Sequence, residues 1–274
     1  MSDNPADRES ASQAQMQRFV ADLKEARARE KQQAAATQAA YAQLSAYARD
    51  VKTAWRKERQ RAEQLERAYL NTLQVLLRAS AYKDEETGAH IARIRHYSKT
   101  LCLAAGLGED LATLVYDASP MHDVGKIGVP DVVLKKPGSL DPDEWKIMRR
   151  HPAIGASLLN GTGSALLEAA REIALTHHER WDGSGYPNGL VGEAIPLLGR
   201  VVNLVDQYDA LRSPRVYKPA FTHERTCEIM LKGDGRSMPA HFDPNLLAAF
   251  GDTHLQLAAV YERFCEGAPD ALGD

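Results

Sequence analysis

Nine histidines stand at positions 90, 96, 122, 151, 177, 178, 223, 241 and 254 of this 274-residue chain. Five of those positions fall into a series with carboxylates: Glu86, His90, His122, Asp123, His151, His177, His178 and Asp206. Imidazole and carboxylate form the ligand set of iron, manganese or zinc, with manganese favoured by oxygen donors. Two such ions roughly 3.5–4 Å apart can activate a water and clamp both oxygens of a phosphoryl displacement. Glu86 and His90 are four apart on a predicted helix and share one face of it. Neighbours on a helix diverge by ~100°. The adjacent pairs His122–Asp123 and His177–His178 can therefore serve two ions, or one ion only near a helix end. Taken singly, each residue has an ordinary structural role. His96, His223, His241 and His254 are read as capped or core histidines. Asp206 alone would be a helix cap, and Glu86 with His90 alone either a ligand pair or a surface salt bridge.

These residues must be positioned by helices, because strand-like alternation is nearly absent from the sequence. A long helix is expected from Gly88 to Gly106, with Ile91, Ile94, Leu101 and Ala105 on its inner face. Another is expected over 109–124, which would carry His122 and Asp123. The stretch GVPDVVLKKPGSL reads as a loop with at most a short extended piece. Asp141-Pro142-Asp143-Glu144 is a helix start, with Asp141 as cap, Pro142 in the first turn and Glu144 three beyond the cap. That helix runs towards His151. Further helices fit 164–179, 196–212, 223–232 and 244–264. DGSGYPNGLVGEAIP, from Asp182 to Pro196, is a turn-rich loop in which Gly183, Gly185 and Gly189 permit backbone shapes closed to other residues. Tyr186-Pro187 would hold a stiff, exposed aromatic there, and Asp182 would cap or brace the loop.

The first 70 residues differ in kind. No glycine precedes Gly88, and Pro5 is the only proline before Pro120. Residues 1–70 hold 17 Ala and 9 Gln, with 13 Lys and Arg against 10 Asp and Glu. Such a segment has much to favour a helix and nothing to break one. Steps of three and four give a seam through Met16, Phe19, Leu23, Ala26, then polar Glu30, Gln33 and Thr37, then Ala40, Leu44, Tyr47, Val51 and Ala54. A second register continues through Trp55, Ala62, Leu65, Tyr69, Thr72 and Leu76. The pattern predicts a paired signalling helix with a stutter between registers, hence a homodimer, rather than a solvated single helix. The expected organisation is a coiled coil over 1–70 and an all-α domain over 71–274.

Composition narrows the function. With 34 Lys and Arg against 37 Asp and Glu, the formal net charge is −3, which argues against a nucleic-acid binder. No apolar run reaches the ~18 residues of a membrane span. The polar start MSDNPADRES is not a secretory signal. Cys102, Cys227 and Cys265 are too few and scattered for a disulfide framework or a cysteine zinc site. The expected location is the cytoplasm, with any input signal arriving from outside the chain.

The fragments EETGAH (85–90), HDVGK (122–126), HPAIG (151–155), HHERWDGSGYP (177–187) and VDQYDAL (205–211) closely resemble the HD-GYP family of cyclic di-GMP phosphodiesterases, within the HD phosphohydrolase superfamily. The resemblance runs from about Tyr82 to Phe264, in order. It implies a helical domain whose site holds two or three divalent metals, often iron or manganese. The ligands it implies are His122, Asp123, His151, His177, His178 and Asp206, with Asp123 bridging, and Glu86 and His90 as additional ligands to a third metal. Lys126 matches a lysine that meets a substrate phosphate; Arg215 and Lys218, in SPRVYK, match basic residues that contact the nucleotide. The implied reaction opens cyclic di-GMP to linear pGpG, with cleavage on to GMP as a second step. The GYP loop is expected as a wall near the substrate, as a docking surface for another signalling protein, or only as turns that hold His177 and His178 against Asp206. Two other readings stay open: hydrolysis of a different cyclic dinucleotide, and a weakly active adaptor that binds nucleotide.

The residues support these roles independently. The sequence carries no serine or cysteine nucleophile motif, and a metal-activated water needs none. Lys126 lies three residues after Asp123, close to its face of a helix, from where its cation can reach a metal-bound phosphate.

Overall fold

A computed structural model of the chain describes residues 5–84, 88–161, 163–214 and 220–265. Glu86, Arg215 and Lys218 lie outside the described residues. The chain divides into two units, residues 1–70 and 71–274. Among the described residues there is no strand, only one isolated bridge between Asp182 and Val191. The fold class is all-α, as the sequence implies.

The first unit is helical throughout its described part. It belongs to α1 (Pro5–Asp84), and Met16, Phe19, Leu23, Leu44, Val51, Trp55 and Leu65 are exposed along it. No helix among the described residues is long and apolar enough to cross a membrane.

The second unit is built around α2 (Gly88–Ala104), which packs against α3 (Glu109–Ala118), α8 (Leu197–Arg212) and α10 (Pro244–Arg263). Ile91, Ile94 and Leu101 of α2 are buried as the periodicity requires, together with Tyr97, whose ring meets Tyr208 of α8 edge to face. Short helices α4 (Asp131–Leu134), α5 (Pro142–Met148) and α6 (His151–Leu158) follow, then α7 (Ala165–Thr176) against α6 and α8, and α9 (His223–Lys232) against α8 and α10.

Three expectations are corrected. The helix read over 109–124 ends at Ala118. Ser119–Met121 and Val124–Gly128 are 3₁₀ turns, and His122 and Asp123 lie between them. Pro120 is the cause: it has no N–H to extend an α-helical ladder, yet fits the opening of a new turn. The loop read over GVPDVVLKKPGSL contains α4. The helix begun at Asp141 stops at Met148, and α6 starts anew at His151. The cap itself is as read: Asp141 accepts from the backbone N–H groups of Asp143 and Glu144, and the Glu144 side chain accepts from that of Asp141.

Candidate metal centre

Five segments bring the cluster together, one of them α2, which carries His90. The turn after α3 supplies His122 and Asp123, the first residue of α6 supplies His151, the end of α7 supplies His177 and His178, and the middle of α8 supplies Asp206. His177 caps the C-terminus of α7 and His178 follows in the turn. There the 100° divergence of helix neighbours no longer applies, and their ring centroids are 4.0 Å apart. The ligating atoms of Asp123, His151, His177 and His178 all lie within 4.8 Å of one another, and so, as a second group, do those of His90, His122 and Asp206.

Asp123 stands between the two groups. Its Oδ1 lies 3.1 Å from His151 Nε2 and 3.5 Å from His177 Nε2. Its Oδ2 lies 3.3 Å from His122 Nε2, which is 3.9 Å from Asp206 Oδ1. The far nitrogens of the rings are already committed. His122 Nδ1 donates to the Ser119 carbonyl (2.9 Å), His151 Nδ1 to that of Met148 (2.8 Å), and His177 Nδ1 to those of Ile173 and Ala174 (3.1 Å each). A carbonyl only accepts, so each Nδ1 carries its proton and each Nε2 is turned towards the cluster. His151 Nε2 and His177 Nε2 face each other at 3.5 Å beside a carboxylate oxygen. Electron-pair donors gathered so closely fit a divalent cation.

Electrostatics point the same way. Burial alone would raise the Asp123 carboxyl, but Lys126 and His122 outweigh it and hold it well below the usual range. Burial lowers His177 and, with the neighbouring His177 and His151, lowers His178 further, which keeps both rings neutral. His90 is aligned from outside the cluster: its Nδ1 meets Asp209 Oδ2 at 2.8 Å, and Asp209 is clamped by Arg93 through bonds of 2.6 and 2.9 Å. Burial would raise Asp209, yet these bonds hold it far below its ordinary value.

Lys126 reaches Asp123 by a route different from the one expected. On a 3₁₀ turn, residues three apart eclipse each other, and Lys126 Nζ lies 2.7 Å from Asp123 Oδ2. The turn is anchored from α1, where Lys83 Nζ donates to the Ile127 carbonyl at 2.6 Å and sits 3.6 Å from Asp131. Gly125 makes the arrangement possible. A Cβ there would overlap the carbonyl of His151 and crowd the amide of Gly155. Gly125→Ala should therefore cost about 3 kcal/mol, at the upper end of overpacking, and displace His151 from Asp123. Urea titration checks this, and an unchanged midpoint would contradict the packing.

The glycine-rich loop folds inward. Tyr186, expected as an exposed aromatic, is partly buried, and its ring stacks on His178 at 4.7 Å and 28°. Its backbone N–H donates to the His178 carbonyl. Gly185 lies so close to the backbone of His178, Glu179 and Arg180 that no side chain fits. Glu179 is 1% exposed and accepts the backbone N–H groups of Asn188 and Leu190 at 2.7 and 3.0 Å. Asp182 braces the loop by accepting from the Ser184 backbone and hydroxyl. Sequence reasoning did not single out Glu179, Lys83 or Arg93. Glu179 adjoins the paired histidines, but nothing local reveals that a carboxylate there faces backbone donors nine and eleven residues on.

His223 and His254, expected as capped or core histidines, come together with Cys227 in a third group whose ligating atoms lie within 4.8 Å of one another. His223 Nε2 and His254 Nδ1 pair at 2.8 Å, and the buried Tyr208 hydroxyl meets His223 Nδ1 at 2.9 Å. Cys227 Sγ lies 3.6 Å from His223 Nε2.

Comparison with known proteins places these features in a family. The profile of the HD domain matches residues 74–246. A cyclic di-GMP phosphodiesterase of Vibrio cholerae is 46% identical over 200 residues, covering 68% of this chain and 40% of that protein. A 3′3′-cGAMP-specific phosphodiesterase 2 of the same organism is 45% identical over 172 residues, covering 63% of this chain and 32% of that protein. The chain thus spans less than half the length of either relative. In fold, it is similar to a crystal structure of a cyclic GMP-AMP-specific phosphodiesterase from V. cholerae, at 15% identity and a TM-score of 0.50, covering 71% of this chain and 51% of that one. Matched over most of its second unit, with His122 and Asp123 at the centre of its clustered histidines, the chain belongs to the HD-domain family.

Proposed function

We infer that this chain is a metal-dependent phosphodiesterase that hydrolyses cyclic di-GMP to linear pGpG. The observation that carries this reading is Asp123, a single carboxylate whose two oxygens face two groups of metal-type donors. On this reading His151, His177 and His178 would hold one ion and His122 and Asp206 a second, with Asp123 shared between them, and His90 and Glu86 would be available to a third. Iron and manganese suit this mixed nitrogen and oxygen set. Such ions would acidify a water and withdraw charge from the phosphoryl oxygens, so that no side-chain nucleophile is required.

The remaining roles belong to the chain. Asp209 holds the imidazole of His90, as carboxylates behind ligating histidines do. Lys126, at the edge of the cluster, presents its ammonium to the phosphate undergoing attack. Arg215 and Lys218, assigned by resemblance, contact the rest of the nucleotide. Tyr186 closes the cluster on the side of His178. A third ion at Glu86 and His90 would favour cleavage of pGpG on to GMP.

Hydrolysis of a different cyclic dinucleotide is the second reading, favoured by the relative specific for 3′3′-cGAMP. Product chromatography with cyclic di-GMP, 3′3′-cGAMP and cyclic di-AMP, beside elemental analysis of anaerobically purified protein, separates the two. Lys126→Ala is the internal control. It should keep its metal content and lose roughly 10²–10³-fold in kcat, the usual cost of removing one donor to developing charge. Loss of metal in that variant would refute the phosphate role.

A further inference from the structure

A cavity of about 590 Å³ opens beside the cluster, and His178, Asp206, Trp145, Arg149 and Tyr186 are among the residues that line it. Arg149 caps the C-terminus of α5. Its guanidinium carbon lies 5.7 Å from the centre of the Trp145 ring, one turn earlier, and 5.2 Å from that of Tyr186. Tyr186 is in turn stacked on His178. A row of flat groups therefore leads away from the cluster: imidazole, phenol, guanidinium, indole.

Three arginines line this cavity, Arg149, Arg180 and Arg236, and among the described residues Arg149 is the one of the three that rests on aromatic rings. Lys126 pairs with Asp123, Arg93 with Asp209 and Arg200 with Asp243. Arg149 pairs with no carboxylate among the described residues and rests on two aromatic rings. Packing against aromatic rings restricts the orientation of a guanidinium while leaving its five N–H donors available along its edges. A phosphate asks for charge. A guanidinium whose plane is restrained adds a geometric match to two acceptors side by side. The edge of guanine offers such a pair in O6 and N7, whereas adenine puts an amino donor where guanine has O6.

We propose that Arg149 reads the O6/N7 edge of a guanine in the half of the cyclic dinucleotide lying away from the metal cluster, and so sets base specificity; this rests on the function proposed above. Trp145 and Tyr186 restrain the guanidinium, and Trp145, which is 44% exposed, also offers a face to the base.

Steady-state kinetics test this on the whole 274-residue chain. A bidentate arginine–guanine contact discriminates by about 1–3 kcal/mol, or roughly 5- to 150-fold. Arg149→Ala should raise KM for cyclic di-GMP within that range and leave kcat within about twofold, because the contact is remote from the bond that breaks. Arg149→Lys, which keeps the charge and loses the fork, should recover only part of the loss. Inhibition by cyclic di-AMP should be the same in Arg149→Ala as in the unsubstituted protein. An unchanged KM for cyclic di-GMP would overturn the assignment. So would an equal weakening of cyclic di-AMP, which marks a phosphate contact. Bis(p-nitrophenyl) phosphate has no base and reports on the cluster alone. Turnover of it with none of any cyclic dinucleotide overturns the proposed function and this assignment together, whereas cyclic di-GMP turnover with an unaltered KM in Arg149→Ala overturns only the latter.

Discussion

Replacing Asp123 with alanine should abolish cyclic dinucleotide hydrolysis and remove most of the bound metal. The expected loss in kcat is at least about 10³-fold, beyond that of removing one electrostatic donor, because one carboxylate serves both donor groups. Its Oδ1 faces His151 and His177 and its Oδ2 faces His122. Without it, neutral imidazoles would have to hold cations with no carboxylate shared between the two groups to offset charge, and Lys126 would lose its partner at 2.7 Å. Asp123 is 8% exposed, so solvent compensates little. Breaking a buried pair from one side costs about 3–5 kcal/mol, and the alanine variant should melt earlier as well. Asp123→Asn keeps the shape and removes the charge. It should fold better than Asp123→Ala while still losing metal, which separates loss of the site from loss of the fold. Elemental analysis and product chromatography on one preparation of each decide the matter. Turnover at normal metal content in either variant would sink the proposed centre.

How far the sequence could be read depended on the range of each interaction. The Asp141–Glu144 cap was legible because all its partners lie within three residues. The burial of Ile91, Ile94 and Leu101 followed from helical periodicity alone. The strings around the histidines implied a shared site, and the structure brings His90, His122, Asp123, His151, His177, His178 and Asp206 into two adjoining groups. What was misread concerns places where the chain leaves the α-helix. Pro120 ends α3 before the His122–Asp123 pair, and the 3₁₀ turns that follow bring Lys126 directly onto Asp123. The placing of His177 and His178 at a helix end was one of two alternatives, and only the end of α7 at Thr176 decides it. Tyr186 was taken as exposed because its own neighbours are glycines and a proline. Its inward turn is set by contacts to His178 and by Glu179, which gathers the loop's backbone donors. Such side-chain-to-backbone contacts leave no periodic trace in a sequence.

Deleting residues 1–67 should convert a dimer into a monomer. In a single chain, Met16, Phe19, Leu44, Val51, Trp55 and Leu65 are each at least 60% exposed. Burying a large apolar side chain contributes roughly 1.5–3 kcal/mol, and the seam offers about a dozen positions, of which Glu30, Gln33 and Thr37 interrupt the centre. Association costs an estimated 4–15 kcal/mol in lost freedom, so a few well-buried positions at each end suffice for a pair while the polar centre keeps it modest. The helix has little other support: its ion pairs among the described residues, Arg29–Glu25 and Arg59–Glu63 among them, are exposed and worth about 0.3–0.5 kcal/mol each. The seam, rather than helix propensity, must then hold two copies together. Leu23→Lys with Leu44→Lys should split the dimer as deletion does, because each lysine would face its own symmetry mate across a parallel pair. Neither residue belongs to the second unit, so metal content should not change. Light scattering across the micromolar range checks all three proteins. An unsubstituted chain that runs as a monomer would overturn the pairing and leave α1 as a solvated single helix.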